Sequence, residues 1–165
     1  MSRLIATVFY AGYLRPASGT WGSLAALLLA IPVVMLGGVW ALAIGAGVAY
    51  AAGHWATAQM VGPGHSDPSE VVIDELVGQW IALLPVAWMY GAVGAAPVIW
   101  WASAAAFGLF RLFDIAKPGP VGAADRRGDV TGVMLDDVIA GVFAAVIVGA
   151  GLIALAVAAT AAWTG

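Results

Sequence analysis

The chain has 165 residues, of which 63% are hydrophobic and only 9% charged, with a mean hydropathy of +0.99. A soluble domain is usually about a quarter charged, so this composition describes a multi-span membrane protein of one domain, residues 1–165, and excludes an ordinary soluble globule. The net charge of −3 implies no nucleic-acid partner, and the absence of cysteine excludes a thiol nucleophile, a cysteine-zinc site and any disulfide framework.

The elements follow in chain order. "MSRLIATVFYAGYLRPASGT" has a short apolar part and no clear cleavage site, and reads as a retained surface segment. Ser23 to Met35 is the first apolar run, ended by "GG" at 37–38. Val39 to Met60 is the second. "VGPGHSDPS" is a loop by its Gly, Pro, Ser and Asp content. Val71 to Tyr90, Val98 to Ile115 and Met134 to Trp163 are the third, fourth and fifth runs, separated by "GAVGAAP" and by the polar "AKPGPVGAADRRGDVTG". A span needs about 20 residues. Runs two to five meet this, and the first is short enough to be tilted or incomplete. The fold class is therefore all-α, a transmembrane bundle of about five helices.

With five crossings, Arg3, Arg15, Lys117, Arg126 and Arg127 fall on one side, and the two opposite turns carry no charge. The positive-inside rule makes that side cytoplasmic. The same topology gathers "GTWGS", "DPSEVVIDE", "FRLFDIAKP" and "MLDD" at one membrane face, and this convergence exceeds what solubility requires.

Asp74 and Glu75 open one helix, and Asp136 and Asp137 open another. Taken singly, each pair is explained by carboxylates favouring a helix N-terminus. Two pairs on two helices entering from one side point instead to a shared hard cation, with Mg²⁺ the natural choice for carboxylate oxygen. Arg111, Asp114 and Lys117 recur every three residues and share a helical stripe that Pro118 ends. A structural ion pair with a snorkelling lysine is the plain reading. Beside a divalent metal, the arginine and lysine also suit a dianionic phosphate. Thr20 and Ser23 lie where a helix begins among small residues, as caps or as donors to a phosphate oxygen. Asp67 is either a turn residue or a further metal ligand. His54 reads as a packing histidine and His65 as a loop residue. The eight tryptophans fit interfacial belts and packing.

At these residues the chain resembles the phosphatidylglycerophosphatase A family. The resemblance rests on "PASGTWGSLAA", "DPSEVVIDELVGQWIAL", "FRLFDIAKPGPVGAADR" and "TGVMLDDVIAG", which span Pro16 to Gly141. It implies a Mg²⁺-dependent integral membrane lipid phosphatase that converts phosphatidylglycerophosphate to phosphatidylglycerol and inorganic phosphate. It also implies a bacterial inner membrane setting, with the active site facing the cytoplasm. Asp74, Glu75, Asp136, Asp137, Arg111, Asp114 and Lys117 match the family's polar motifs. The loop "AADRRGDVTG" follows the family less closely, so Asp125 and Asp129 receive no role.

Three rival readings stand beside this one. A cation-binding transporter would carry its acids near the bilayer midplane rather than at one end. A CDP-alcohol phosphotransferase would show a long Asp/Gly/Arg motif that is missing here. A structural subunit leaves the one-sided clustering without a cause. The Asp-x-Asp nucleophile motif of haloacid dehalogenase-type phosphatases does not occur. Small residues such as those of "GVFAAVIVGAG" permit close helix packing within one chain or across a homodimer.

Overall fold

The structure, a computed structural model, describes residues 1–60 and 70–164, all in helices and short connections without strands. The helices are α1 (Ser2–Ala6), α2 (Ser18–Met60), α3 (Ile73–Ala82), α4 (Leu84–Val93), α5 (Pro97–Ala116), α6 (Pro120–Asp125) and α7 (Val130–Thr164), with a 3₁₀ turn at Ala11–Tyr13. The loop expected over residues 61–69, including His65 and Asp67, lies outside the described residues.

The first two apolar runs are both in α2, whose first turns begin at Ser18 rather than Ser23. They are separated by a break at Gly38, where φ is 63° and ψ −156°. Glycine adopts such a conformation without the steric penalty of a Cβ. The chain folds back at this residue. A Cβ at Gly22 would touch Val72, and one at Gly53 would touch the adjacent Ile73. A continuous helix would hold those two glycines about 46 Å apart. The two halves of α2 therefore run antiparallel, one on either side of the start of α3. Trp80 locks the arrangement deeper in: its ring fills the space over Gly45, and its indole N–H donates to the Ala26 carbonyl at 2.8 Å.

The third run is also broken. α3 and α4 meet at a bend of 45° near Leu83, where Pro85 lacks the N–H that would continue the helical ladder. Among the described residues, three helices are long and apolar enough to cross a membrane, and a fourth span results if α3 and α4 count as one.

α3 lies at the centre of the bundle and is nearly all buried. It meets α7 backbone to backbone, since a Cβ on Gly141 would lie 2.4 Å from the Gly78 carbonyl oxygen. Small residues allow this approach, and dispersion and close packing hold helices together where lipid removes the hydrophobic drive. The N-terminal segment is tied to the start of α3 by the Val72 N–H, which donates to the Ala6 carbonyl at 2.8 Å.

Candidate functional site

The Gly78–Gly141 crossing also decides where the acids meet. One helical turn before Gly78 stands Asp74, and one turn before Gly141 stands Asp137. Both helices run away from the same end, so close contact at the glycines forces the two carboxylates together one turn above. Glu75 and Asp136 follow from the same geometry. Asp74, Glu75 and Asp137 offer carboxylate oxygens within 4.8 Å of one another, and so do Asp114, Asp136 and Asp137. The two groups share Asp137.

Local hydrogen bonds orient each pair in the same way. The Glu75 N–H donates to Asp74 Oδ1 at 3.0 Å, and the Asp137 N–H to Asp136 Oδ1 at 2.9 Å. Asp74, Asp136 and Asp137 are only 7%, 5% and 3% exposed. Carboxylates this close and this poorly hydrated repel one another strongly unless a cation joins them.

The cations come from α5. Arg111 sits 2.7 Å from Asp114 and 3.9 Å from Glu75, and its Nη1 also reaches the Ser23 hydroxyl at 3.4 Å. That hydroxyl donates in turn to the Gly19 carbonyl at 2.8 Å. Lys117 occupies the left-handed C-cap of α5, at φ 46° and ψ 52°. From there it bonds Asp136 at 2.9 Å and also Asp125. Burial pulls the Lys117 ammonium down, but the hydrogen bonds to Asp125 and Asp136 outweigh it and hold its pKa above the usual lysine range. The lysine is therefore charged at every physiological pH.

These groups surround a polar cavity of about 180 Å³ lined by Ser18, Asp74, Glu75, Asp114, Lys117, Asp125, Asp136 and Asp137, with Val71 and Val133 at its edge. Six of the seven acids and bases expected to act as a unit line this cavity, and the seventh, Arg111, lies outside its lining and joins them through its ion pairs with Asp114 and Glu75. Ser23 stands behind Arg111 and is fully buried, and Thr20 is on the same turns of α2 without lining the cavity. His54 bonds the Thr131 hydroxyl at 3.2 Å, a packing role as expected.

Sequence reasoning missed three contributors. Asp125 belongs to the cavity through its bond to Lys117. The signal for it was available: Pro120 begins a short helix, and six residues of helix carry the chain back toward α5. Ser18 lines the cavity from the first turn of α2. Gly19 matters by having no side chain, because a Cβ there would fall 2.2 Å from Glu75 Oε1 and 3.1 Å from Arg111 Nη1. Asp129 lies outside the cavity and caps α7, accepting from the Gly132 N–H at 2.6 Å. Hydrogen bonds from Arg127 and then Gly132 hold its pKa below the usual carboxylate value.

A divalent hard cation fits the donor set. Every candidate ligand atom is a carboxylate oxygen, the preference of Mg²⁺. In addition, Glu75 Oε2 is buried without a hydrogen-bond partner, which is costly unless something outside the chain coordinates it.

An apolar helical bundle with a buried cluster of carboxylates flanked by an arginine and a lysine defines a class: a membrane protein with an acidic site that could hold a metal ion. The sequence comparisons agree. Residues 4–152 match the family described as phosphatidylglycerophosphatase A, and the chain belongs to that family, which makes it a phosphatase. It is 37% identical to a phosphatidylglycerophosphatase A of Haemophilus influenzae, over 88% of this chain and 85% of the relative. Identity to a phosphatidylglycerophosphatase A of Escherichia coli is 35%, over 86% and 78% of the two chains. A Bacteroides thetaiotaomicron protein provisionally named a phosphatidylinositol-3-phosphatase is 38% identical, over 88% and 89%. No solved structure matches significantly.

Proposed function

We propose that the chain hydrolyses phosphatidylglycerophosphate to phosphatidylglycerol and inorganic phosphate, with Mg²⁺ held by Asp74, Glu75, Asp136 and Asp137. The observation that carries this reading is the pair of carboxylate groups joined at Asp137 and flanked by Arg111 and Lys117. A carboxylate shared between two groups suits two ions as well as one. Asp67, outside the described residues, is kept as a further candidate ligand from its sequence position alone.

Lewis-acid neutralisation of the phosphate charge is the chemistry that Mg²⁺ supplies when bound. The chain's own residues do the rest. Arg111, steadied by Asp114 and Ser23, presents its guanidinium to the phosphate. Lys117 supplies a second fixed positive charge, and Asp125 and Asp136 keep it aimed into the cavity. Ser18, which lines the cavity from the first turn of α2, offers a hydroxyl donor to the remaining oxygens, while Ser23 acts only through Arg111. Asp114, ion-paired to Arg111 and part of the second carboxylate group, is the candidate to orient that arginine, to bind metal or to accept a proton from an attacking water. Transition states of phosphate monoesters are loose, so positioning and charge neutralisation carry most of the acceleration.

The fold-back at Gly38 supports a count of five crossings: the two halves of α2, the bent α3–α4 pair, α5 and α7. On that topology the cavity opens on the face that carries Arg3, Arg15, Lys117, Arg126 and Arg127, and so toward the cytoplasm of a bacterial inner membrane. The substrate phosphate lies at headgroup depth, and the cavity lies at the ends of the helices, at the same depth.

The test is phosphate release by purified protein from phosphatidylglycerophosphate, with Mg²⁺ and with chelator. Phosphatidylinositol 3-phosphate serves as a second substrate, because one relative bears that name. Turnover of the first lipid that chelation abolishes is the expected result. Chelator-resistant turnover would remove the metal, and preference for the inositol lipid would replace the substrate.

A further inference from the structure

Five buried side-chain nitrogen and oxygen atoms lack a hydrogen-bond partner among the described residues, and four of them belong to three residues: Glu75 Oε2, Arg111 Nε, and both the oxygen and the nitrogen of the Gln79 amide. The fifth, Thr57 Oγ1, is on the second half of α2. Gln79 is 0% exposed and stands on α3 at the centre of the bundle. An amide cut off from water is costly when it bonds to nothing, and the hydrocarbon around the bundle offers no substitute partner. For filling space alone, a methionine of similar size carries no such cost.

Gln79 follows Glu75 by four residues, so the two share one face of α3 with Cβ atoms about 5–6 Å apart. Helical side chains lean toward the N-terminus and lie over the preceding turn, which directs the Gln79 amide back toward the Glu75 carboxylate. Arg111 stands at the same level. Its Nη1 is 3.9 Å from Glu75 Oε1, and its neighbour Phe110 packs on α3 so closely that a Cβ on Gly78 would lie 2.4 Å from the phenyl ring. Gln79 does not line the polar cavity. Its Cα is about 6 Å further along α3 than that of Glu75, on the floor beneath the acids. The four unpartnered atoms are complementary in kind: the amide N–H and the Arg111 Nε–H donate, while the amide carbonyl and the Glu75 carboxylate accept.

We infer that Gln79 is a positioning residue for the candidate metal site: its amide N–H donates to Glu75 Oε2 and its carbonyl accepts from Arg111 Nε, directly or across one enclosed water. One amide thus fixes, from below, the carboxylate proposed to hold the cation and the guanidinium proposed to meet the phosphate. Gln79 touches no reacting atom and acts through Glu75 and Arg111. A carboxylate oxygen has two lone pairs, so Glu75 Oε2 takes the amide on one and a cation on the other. The inference rests on the proposed Mg²⁺ site and adds the group that orients one of its ligands.

Two measurements test it. In the first, Gln79→Met keeps the length of the side chain and removes both polar atoms, while Thr57→Val removes the remaining unpartnered group as a control. Mn²⁺, a paramagnetic stand-in for Mg²⁺, is titrated into each purified protein in detergent, and the free ion is read by electron paramagnetic resonance. Thermal melts and phosphate release are recorded on the same preparations. Gln79→Met is expected to weaken Mn²⁺ binding and phosphate release each by about tenfold or more, and Thr57→Val to change neither. A Gln79→Met protein with unchanged Mn²⁺ affinity, whatever its melting temperature, marks a packing glutamine and overturns the inference. Equal losses in the two variants overturn it as well. The second measurement, a crystal structure of the wild-type protein with Mn²⁺, needs neither a variant nor turnover. A Gln79 amide within hydrogen-bond distance of Glu75 Oε2, or sharing a water with it, is the expected result, and an amide turned away from Glu75 overturns the inference. A wild-type protein that binds Mn²⁺ with this geometry but releases no phosphate would sink the hydrolytic reading and keep the positioning role. One that binds no Mn²⁺ removes both the metal and the role.

Discussion

Gly19→Ala isolates the geometry of the site from the stability of the fold. The added Cβ would lie 2.2 Å from Glu75 Oε1, and ordinary contact requires about 3.4 Å or more. The Glu75 carboxylate must therefore retreat by about 1 Å from its present seat. The obstructing atom is the free end of a flexible side chain, so the backbone of α2 need not move. Alanine is also the better helix former by about 1 kcal/mol, so thermal stability in detergent should be equal or slightly higher. A misplacement of about 1 Å in a catalytic group costs on the order of 100-fold in rate. The expected result is a kcat/KM for phosphatidylglycerophosphate lowered about 100-fold, a higher Mg²⁺ requirement and an unchanged melting transition. A Gly19→Ala protein with activity within about threefold of wild type would refute the placement of Glu75 in the reacting centre, because no such protein could keep Glu75 where it now stands.

Other perturbations separate the remaining roles. Asp137→Asn removes the carboxylate common to both acid groups and should cost more activity than Asp125→Asn, by on the order of 10²-fold, in parallel phosphate-release assays. Gly141→Ala sets a Cβ 2.4 Å from a backbone oxygen that cannot turn aside. It should separate α3 from α7, lowering the melting temperature and activity together, unlike Gly19→Ala. For Lys117, the raised pKa means that its stabilising contribution is complete below the unfolded lysine value of about 10.4 and is lost only as pH rises through the folded value. The stability difference between wild type and Lys117→Met should therefore be flat from pH 7 to 10, and a step near neutrality in paired thermal melts would contradict the bonds to Asp125 and Asp136. Trp80→Phe deletes the buried bond to the Ala26 carbonyl and should destabilise by about 1 kcal/mol in detergent unfolding, with little effect on kcat.

What was readable in the sequence was what depends on neighbours along the chain. Hydropathy is a local sum, so the apolar runs, the all-helical class and the helix-ending role of "GG" at 37–38 follow from composition and length. The stripe of Arg111, Asp114 and Lys117 follows from the helical period, and Asp74–Glu75 stand in the first turn of α3, where the dipole favours them. Asp136–Asp137, expected to open a helix, instead lie about two turns inside α7, which begins at Val130. Family resemblance then supplied the chemistry that joins them. Distances between helices are another matter, because they depend on which side chains are small where two surfaces cross. The meeting of Asp74 with Asp137 is decided by Gly78 against Gly141, and the seat of Glu75 by the missing side chain of Gly19. The recruitment of Asp125 depends on α6 turning back to Lys117, and the bend at Leu83 is one that hydropathy passes over as a continuous run. A sequence records each of these residues, but only packing in three dimensions sets the ångström-scale gaps on which coordination and catalysis depend.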